Sequence, residues 1–321
     1  MKRIISVLLA VMLLAGAFSS CGNPGEIKNE KLSIVTTIFP EYDWVMNILG
    51  DRAQLAEVTM LLDSGVDLHS YQPTADDMIK IAQCDLFICV GGESDKWTDE
   101  AISSSANKNM KVLRLIDILG DSVREEMLVE GMEAEEEEAK EGEAEYDEHV
   151  WLSLKNAAVC CRAIAEALAS LNEANASLYT ANSDSYIEDL NALDEKYTEF
   201  IGNAENKTVL FADRFPFRYL VDDYSISYYA AFAGCSAESE ASFETVTFLA
   251  DKINELSLPA VIILEGSDGK LAKTIIEAAK AENIQTVTMD SMQSVTAEDV
   301  ENGVSYFGIM EKNLEALKSA L

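Results

Sequence analysis

A chain of 321 residues, 48% of them hydrophobic, is long enough to bury two packed cores, and disorder of the whole is excluded. Its 57 acids against 24 bases leave a formal net charge of −33. Binding to phosphates requires basic patches, so nucleic acid is excluded as a partner; such a surface attracts cations instead.

In chain order, residues 1–20 carry Lys2 and Arg3, an apolar run from Ile4, and small residues before Cys21. This is a signal peptide, and the run is short for a membrane span. The Ser-Ser-Cys ending resembles the lipobox of bacterial lipoproteins, in which the cysteine becomes the acylated N-terminus; Cys21 is therefore the expected lipidation site and residues 21–31 a polar tether. Removal of the first twenty residues takes away two bases and no acids, leaving 22 bases against 57 acids, or −35.

Residues 32–38 form a β-branched run, followed by Pro40, an amphipathic segment over 42–49 and Gly50, which predicts strand, turn and helix. A strand is expected at 56–62, a loop at 63–73, a capped helix start at Thr74, and strands at 85–90 and 111–115. Residues 133–148 hold ten acids and one lysine with no apolar periodicity, and are expected to be a solvated loop. A helix follows at 156–171. The stretch 175–203 has no Pro or Gly before Gly202, and Leu178, Asn182, Tyr186, Leu190, Leu193, Tyr197 and Phe200 recur at three- and four-residue steps. It predicts one helix of about 42 Å, long enough to join two lobes as a rigid spine. Beyond it, strands are expected at 208–211, 224–232, 260–264 and 286–289, and helices at 243–256, 270–281 and 302–319. The fold class is α/β: an N-terminal lobe over 32–174, the spine over 175–203 and a C-terminal lobe over 204–321, each lobe a mainly parallel sheet flanked by helices. Ligands of such sheets sit beyond the carboxyl ends of the strands, where His69 falls.

Five cysteines follow Cys21: Cys84, Cys89, Cys160, Cys161 and Cys235. An odd, irregular set in a chain of this size reads as buried thiols, the alternative being a Cys84–Cys89 bridge across a bent strand.

The two histidines both lie in loops beside acids, in DLH (67–69) and DEH (147–149). A carboxylate next to an imidazole can orient its second nitrogen, an arrangement used by metal sites. The carboxylates Asp213, Glu265 and Asp290 follow the spine, so convergence of the two sets would place a site between the lobes.

The segments GVDLHSYQPT (65–74), DLFICVGG (85–92), DEHVWLSLKN (147–156) and TMDSM (288–292), with the long helix between the second and the last, resemble the substrate-binding proteins of zinc- and manganese-type ABC importers over essentially the whole mature chain. The resemblance implies His69, His149 and Asp290 as metal ligands. The family's third ligand, a histidine or glutamate after the first strand of the second lobe, aligns here with Ala212 or Arg214, and neither can ligate. Asp213 and Glu265 are the substitutes, with Asp268 and Glu238 behind them; for Glu265, capping of the following helix is the competing role. The family's loop before the second histidine is often histidine-rich, whereas here it is acidic.

Two imidazoles with one or two carboxylates complete a tetrahedral zinc site, and added oxygen ligands would suit manganese. What the resemblance implies is an extracytoplasmic, lipid-anchored, monomeric receptor that captures Zn2+, alternatively Mn2+, and delivers it to an ABC permease; an adhesin role is also ascribed to members of the family. The competing class is a zinc hydrolase. No His-Glu-x-x-His, nucleophile elbow or phosphate loop supports it, and the chain is expected not to be an enzyme.

Overall fold

The computed structural model describes residues 31–133, 146–236 and 240–321; the expected signal peptide, Cys21, Glu238 and most of the acidic loop lie outside the described residues. The first lobe contains β1 (Leu32–Thr36), α1 (Phe39–Leu49), β2 (Ala56–Met60), α2 (Ala75–Gln83), β3 (Leu86–Cys89), α3 (Trp97–Ser103), β4 (Lys111–Arg114), α4 (Leu115–Leu119) and α5 (Leu154–Leu171). The spine is α6 (Ala176–Asn203). The second lobe follows with β5 (Thr208–Phe215), α7 (Arg218–Tyr224), β6 (Ser227–Ala233), α8 (Phe243–Leu256), β7 (Ala260–Leu264), α9 (Lys270–Ala279), β8 (Gln285–Met289), α10 (Ala297–Glu301) and α11 (Tyr306–Ala320).

Both sheets are parallel, and they repeat one order: β2-β1-β3-β4 in the first lobe and β6-β5-β7-β8 in the second. In each, the chain runs outward from the first strand to an edge and then crosses back, so the carboxyl ends of the two inner strands face a switch point. The near-continuous apolar runs of β3 (LFIC) and β7 (AVIIL) are what a parallel sheet covered on both faces requires.

The spine is 28 residues long, about 42 Å at 1.5 Å per residue. Its first half is tied to the first lobe, where the Asn182 amide donates to Ile48 O (2.9 Å) and Tyr186 Oη to Asp43 (3.3 Å). Its second half is tied to the second lobe, where Tyr197 Oη donates to Met310 O (2.6 Å) and Asp194 accepts from Tyr224 Oη (2.8 Å). The buried stripe runs through Tyr179, Ser183, Tyr186, Ile187, Leu190, Leu193, Tyr197 and Ile201, about one residue round from the expected line at both ends, where Leu178 and Phe200 are only half-buried.

The lobes do not meet through the spine alone. Trp44 and Tyr306 pack edge to face at 5.3 Å, Tyr306 Oη donates to Trp151 O (2.7 Å), and one apolar core runs through both lobes; a second, smaller core lies under α8 and α9. Interlobe surface this apolar resists rigid-body opening.

Several expectations shift. The strand expected at 224–232 begins at Ser227, and residues 218–224, where no helix is expected, form one: Tyr219, Leu220, Val221 and Tyr224 are buried, and the helix ends at Ser225 in a left-handed conformation (φ 55). β5 continues to Phe215 across a register shift between Phe211 and Arg214. The final helix, expected from residue 302, begins at Tyr306: Gly303 (φ 86) follows the short α10, and Ser305 caps α11, its side chain accepting from Gly308 N. Cys84, Cys89, Cys160 and Cys161 are buried thiols and form no bridge; burial and the nearby Asp85 push the Cys84 thiol up to about 12.

At the start of α1, Glu41 reaches back to accept from Thr37 N, Thr37 Oγ1 and Ile38 N at 2.8–3.3 Å. It is fully buried, and burial with the charge of Asp95 raises its carboxyl from 4.5 to about 8 against those donors. A folded value above the unfolded one means that Glu41 adds stability below about pH 4.5, and that this contribution is lost as pH rises towards 8. Thermal unfolding between pH 5 and 8 should therefore show a decline that is flattened in Glu41→Gln.

Candidate metal site

His69 sits in the loop after β2, on a single 3-10 turn, Leu68–Ser70. Asp67 caps that turn, its Oδ1 accepting from His69 N at 2.9 Å while its other oxygen pairs with Arg214 Nη2 at 2.9 Å. The adjacent acid thus fixes the backbone rather than the ring. The His69 Nδ1 is held from β3's side of the lobe, by Ser94 Oγ at 2.7 Å and Glu148 Oε2 at 3.5 Å. Glu148 is itself positioned by Ser94 N, which donates to Oε1 at 2.8 Å.

This carboxylate lies against Gly92, where an added Cβ would stand 2.0 Å from Glu148 Oε1. Gly92→Ala is expected to displace Glu148 and loosen the His69 ring, weakening metal binding by about 10–100-fold, the usual cost of losing an outer-sphere partner. A competition titration with a chromophoric chelator measures it.

His149 is fully buried ahead of the turn Val150–Leu152. Asp147 Oδ1 accepts from both its backbone N (2.9 Å) and its Nδ1 (3.0 Å), so one carboxylate sets the loop and the ring together. Tyr219 of the second lobe donates to Asp147 O at 2.7 Å, and the Trp151 ring packs 5.3 Å from the imidazole while its Nε1 donates to Ser291 O at 2.9 Å. The second lobe therefore helps to place a histidine of the first.

The two rings meet edge on, Nε2 to Nε2, at 3.2 Å. Zinc–nitrogen bonds of 2.0–2.1 Å in a tetrahedron put two nitrogens about 3.3 Å apart, so the imidazoles already stand at zinc spacing. Without a metal, one Nε2 must donate to the other. Burial, the neighbouring His149 and the Arg214 charge depress His69 to about 4; burial also opposes charge on His149, but Asp147 outweighs it and raises the value. Positive charge is thus disfavoured on His69 and favoured on His149.

A third donor completes the group. Among the described residues, the one set of histidine, cysteine and carboxylate donors whose ligand atoms all lie within 4.8 Å of one another is His69, His149 and Cys235. Cys235 follows β6 directly after Gly234, where an added Cβ would stand 2.8 Å from Phe215 O and 3.1 Å from His149 Cε1, so the backbone rests against the imidazole there. Cys235 was read from the sequence only as one more buried thiol; it is half-buried. Its place just beyond a strand's carboxyl end in Gly-Cys-Ser was the available signal.

Asp213, Glu265 and Asp290 lie outside this set. Asp213 accepts from Arg214 N and from Leu264 N at 3.3 Å, extending a β5–β7 pairing that is otherwise carried by Phe211 and Ile262. Glu265 accepts from Ser291 N (2.8 Å), Ser291 Oγ (2.6 Å) and Gln293 N (3.4 Å), and burial with the Asp290 charge raises it to about 7. It ties β7 to the turn after β8. Asp290 accepts from Met292 N through Oδ1, and it is one residue from the carbonyl that holds Trp151. Asp268 is exposed and bonds the start of α9 at Lys270 N. Of the two positions where the family's ligand was expected, Ala212 is buried and Arg214 turns to Asp67.

Two parallel α/β lobes on one long helix, meeting over an imidazole pair at metal spacing, define a two-lobed solute-binding protein of the metal-binding kind. The profile of the family described as zinc-uptake complex component A, periplasmic, matches residues 34–320, and the chain belongs to that family. It is 29% identical to the high-affinity zinc uptake system protein ZnuA of Bacillus subtilis over 98% of this chain and 96% of that one. It is 30% identical to the zinc-binding lipoprotein AdcA of Streptococcus pneumoniae over 99% of this chain, but spans 61% of that protein's length. The structure resembles the Zn(II)-bound ZnuA-like domain of S. pneumoniae AdcA with a TM-score of 0.71 at 28% identity, covering 90% of this chain and 98% of that domain.

Proposed function

We propose that this protein is an extracytoplasmic receptor, anchored by lipid at Cys21, that captures one divalent metal ion between its lobes and delivers it to an ABC permease. Zn2+ is the expected cargo. The observation that carries the reading is the His69–His149 pair, 3.2 Å apart at Nε2, with each Nδ1 held by another group so that both Nε2 atoms face one point. Family membership, the zinc-binding name of the S. pneumoniae relative and the lipoprotein in that name support metal, substrate class and address alike. Asp290, next to the residue whose carbonyl holds Trp151 beside His149, is proposed to complete the coordination sphere as the turn after β8 adjusts. Asp213 and Glu265, engaged by backbone donors, act as struts.

Calorimetric titration of the apo protein with zinc and with manganese tests this, repeated on alanine variants of His69, His149, Asp213, Glu265 and Asp290. The reading expects one zinc per chain, lost in both histidine variants, weakened in Asp290→Ala and little changed in Asp213→Ala. Full zinc affinity in His69→Ala would refute it. The hydrolase alternative predicts metal-dependent turnover of esters or peptides, and the receptor reading predicts none.

A further inference from the structure

We propose that Cys235 is the third protein ligand, bound as thiolate, and that it makes the site selective for thiophilic ions such as zinc over manganese. This rests on the capture of metal by His69 and His149 and names the donor that the second lobe supplies.

The geometry points to it in three ways. The sulfur is the one further donor atom, among the described residues, that joins both imidazole nitrogens within 4.8 Å. A tetrahedral zinc with bonds of 2.0–2.1 Å to nitrogen and 2.3 Å to sulfur needs nitrogen–sulfur separations of about 3.6 Å, inside the 4.8 Å that bounds the three ligand atoms. The second point is positional. β2 and β6 hold the same place in two sheets of identical order, each the edge strand beside the first strand of its lobe. His69 comes from the loop after the one and Cys235 from the loop after the other, so the two lobes present equivalent loops to one ion. Third, Arg214 stands at one of the two positions where the family's ligand was expected, and its guanidinium, which cannot ligate, is engaged with Asp67 at 2.9 Å, so the second lobe's donor has to come from another loop. A thiolate adds one negative charge to a site whose two imidazoles are neutral donors.

Binding is balanced by proton loss: the Cys235 thiol gives its proton to solvent as the zinc–sulfur bond forms, and the proton between the imidazoles leaves as their Nε2 atoms take the metal. Two imidazoles and a thiolate leave the fourth tetrahedral position for a carboxylate or water. Manganese prefers oxygen donors and gains little from a thiolate, whereas zinc takes nitrogen and sulfur readily.

X-ray absorption at the zinc edge of the loaded wild-type protein is the direct test, since it needs no variant. One sulfur neighbour at about 2.3 Å beside two imidazoles is expected. Zinc bound with nitrogen and oxygen neighbours only would overturn the proposal, while leaving the histidine-based reading intact if His69→Ala still abolishes binding. In parallel, Cys235→Ser should lose the sulfur signal and about a hundredfold in zinc affinity, and Cys235→Asp should narrow the zinc-to-manganese preference by at least tenfold. Unchanged zinc affinity and preference in both variants would also overturn it.

Discussion

Replacing His149 by alanine is expected to weaken zinc binding by at least a thousandfold, about 4 kcal/mol at 1.4 kcal/mol per decade. The size follows from what one residue does. Its Nε2 is half of the imidazole pair, and its ring is fully buried between Asp147 and Trp151. Truncation also leaves Asp147, 3% exposed, without its Nδ1 partner, so the apo protein should melt earlier as well. His69→Ala separates the two effects. Its ring is less enclosed and its Nδ1 partners are Ser94 and Glu148, so affinity should fall as far while stability falls less. Calorimetry for affinity and thermal unfolding of the apo forms together check both statements.

Trp151→Ala is expected to produce the largest loss of stability of any single truncation near the site, about 3–5 kcal/mol. Trp151 is 1% exposed and lies where the lobes join: its indole donates to Ser291 O, its carbonyl accepts from Tyr306 Oη, and its ring backs His149. The carbonyl bond survives substitution, so the loss comes from the cavity and from Ser291 O left without its donor. Trp151→Phe refills most of the cavity but removes the indole N–H, and should cost about 1 kcal/mol. Because the ring holds the His149 face, zinc affinity should decline in Ala more than in Phe. Chemical denaturation of the apo variants, followed by zinc titration of those that fold, measures both; equal stability of Ala and Phe would show that the ring bears no packing load.

The fold was legible to the extent that burial followed periodicity. Helix 243–256 and strand 260–264 emerge at the expected bounds because each is closed by a clear stop, Ser257 in the left-handed conformation in one case and Gly266 in the other. Helix 218–224 was not legible, since Tyr219, Val221 and Tyr224 carry strand-like residue types and only their packing side reveals a helix. The spine was read correctly in length but rotated by about one residue at its ends, because Tyr179 and Ile201 bury better than the Leu178 and Phe200 beside them.

At the site, the two histidines were singled out by their shared setting beside acids in loops, and the structure brings their Nε2 atoms to 3.2 Å. Their orienting partners were half legible. Asp147 does turn the His149 ring, as its spacing suggests, but Asp67 spends its oxygens on the His69 backbone and Arg214, and it is Glu148 that crosses over to His69. Such crossing depends on Gly92 leaving room, a fact of packing that no local pattern encodes. Cys235 was hidden for the same reason. A single thiol has no spacing to read, and only the repeat of sheet order between the lobes brings its loop opposite that of His69.

Anomalous diffraction at the zinc edge from crystals of the zinc-loaded protein tests the central claim most directly. The account predicts one strong peak, within about 2.1 Å of Nε2 of both His69 and His149. A fully occupied peak elsewhere, with the two imidazoles still bonded to each other, would contradict it.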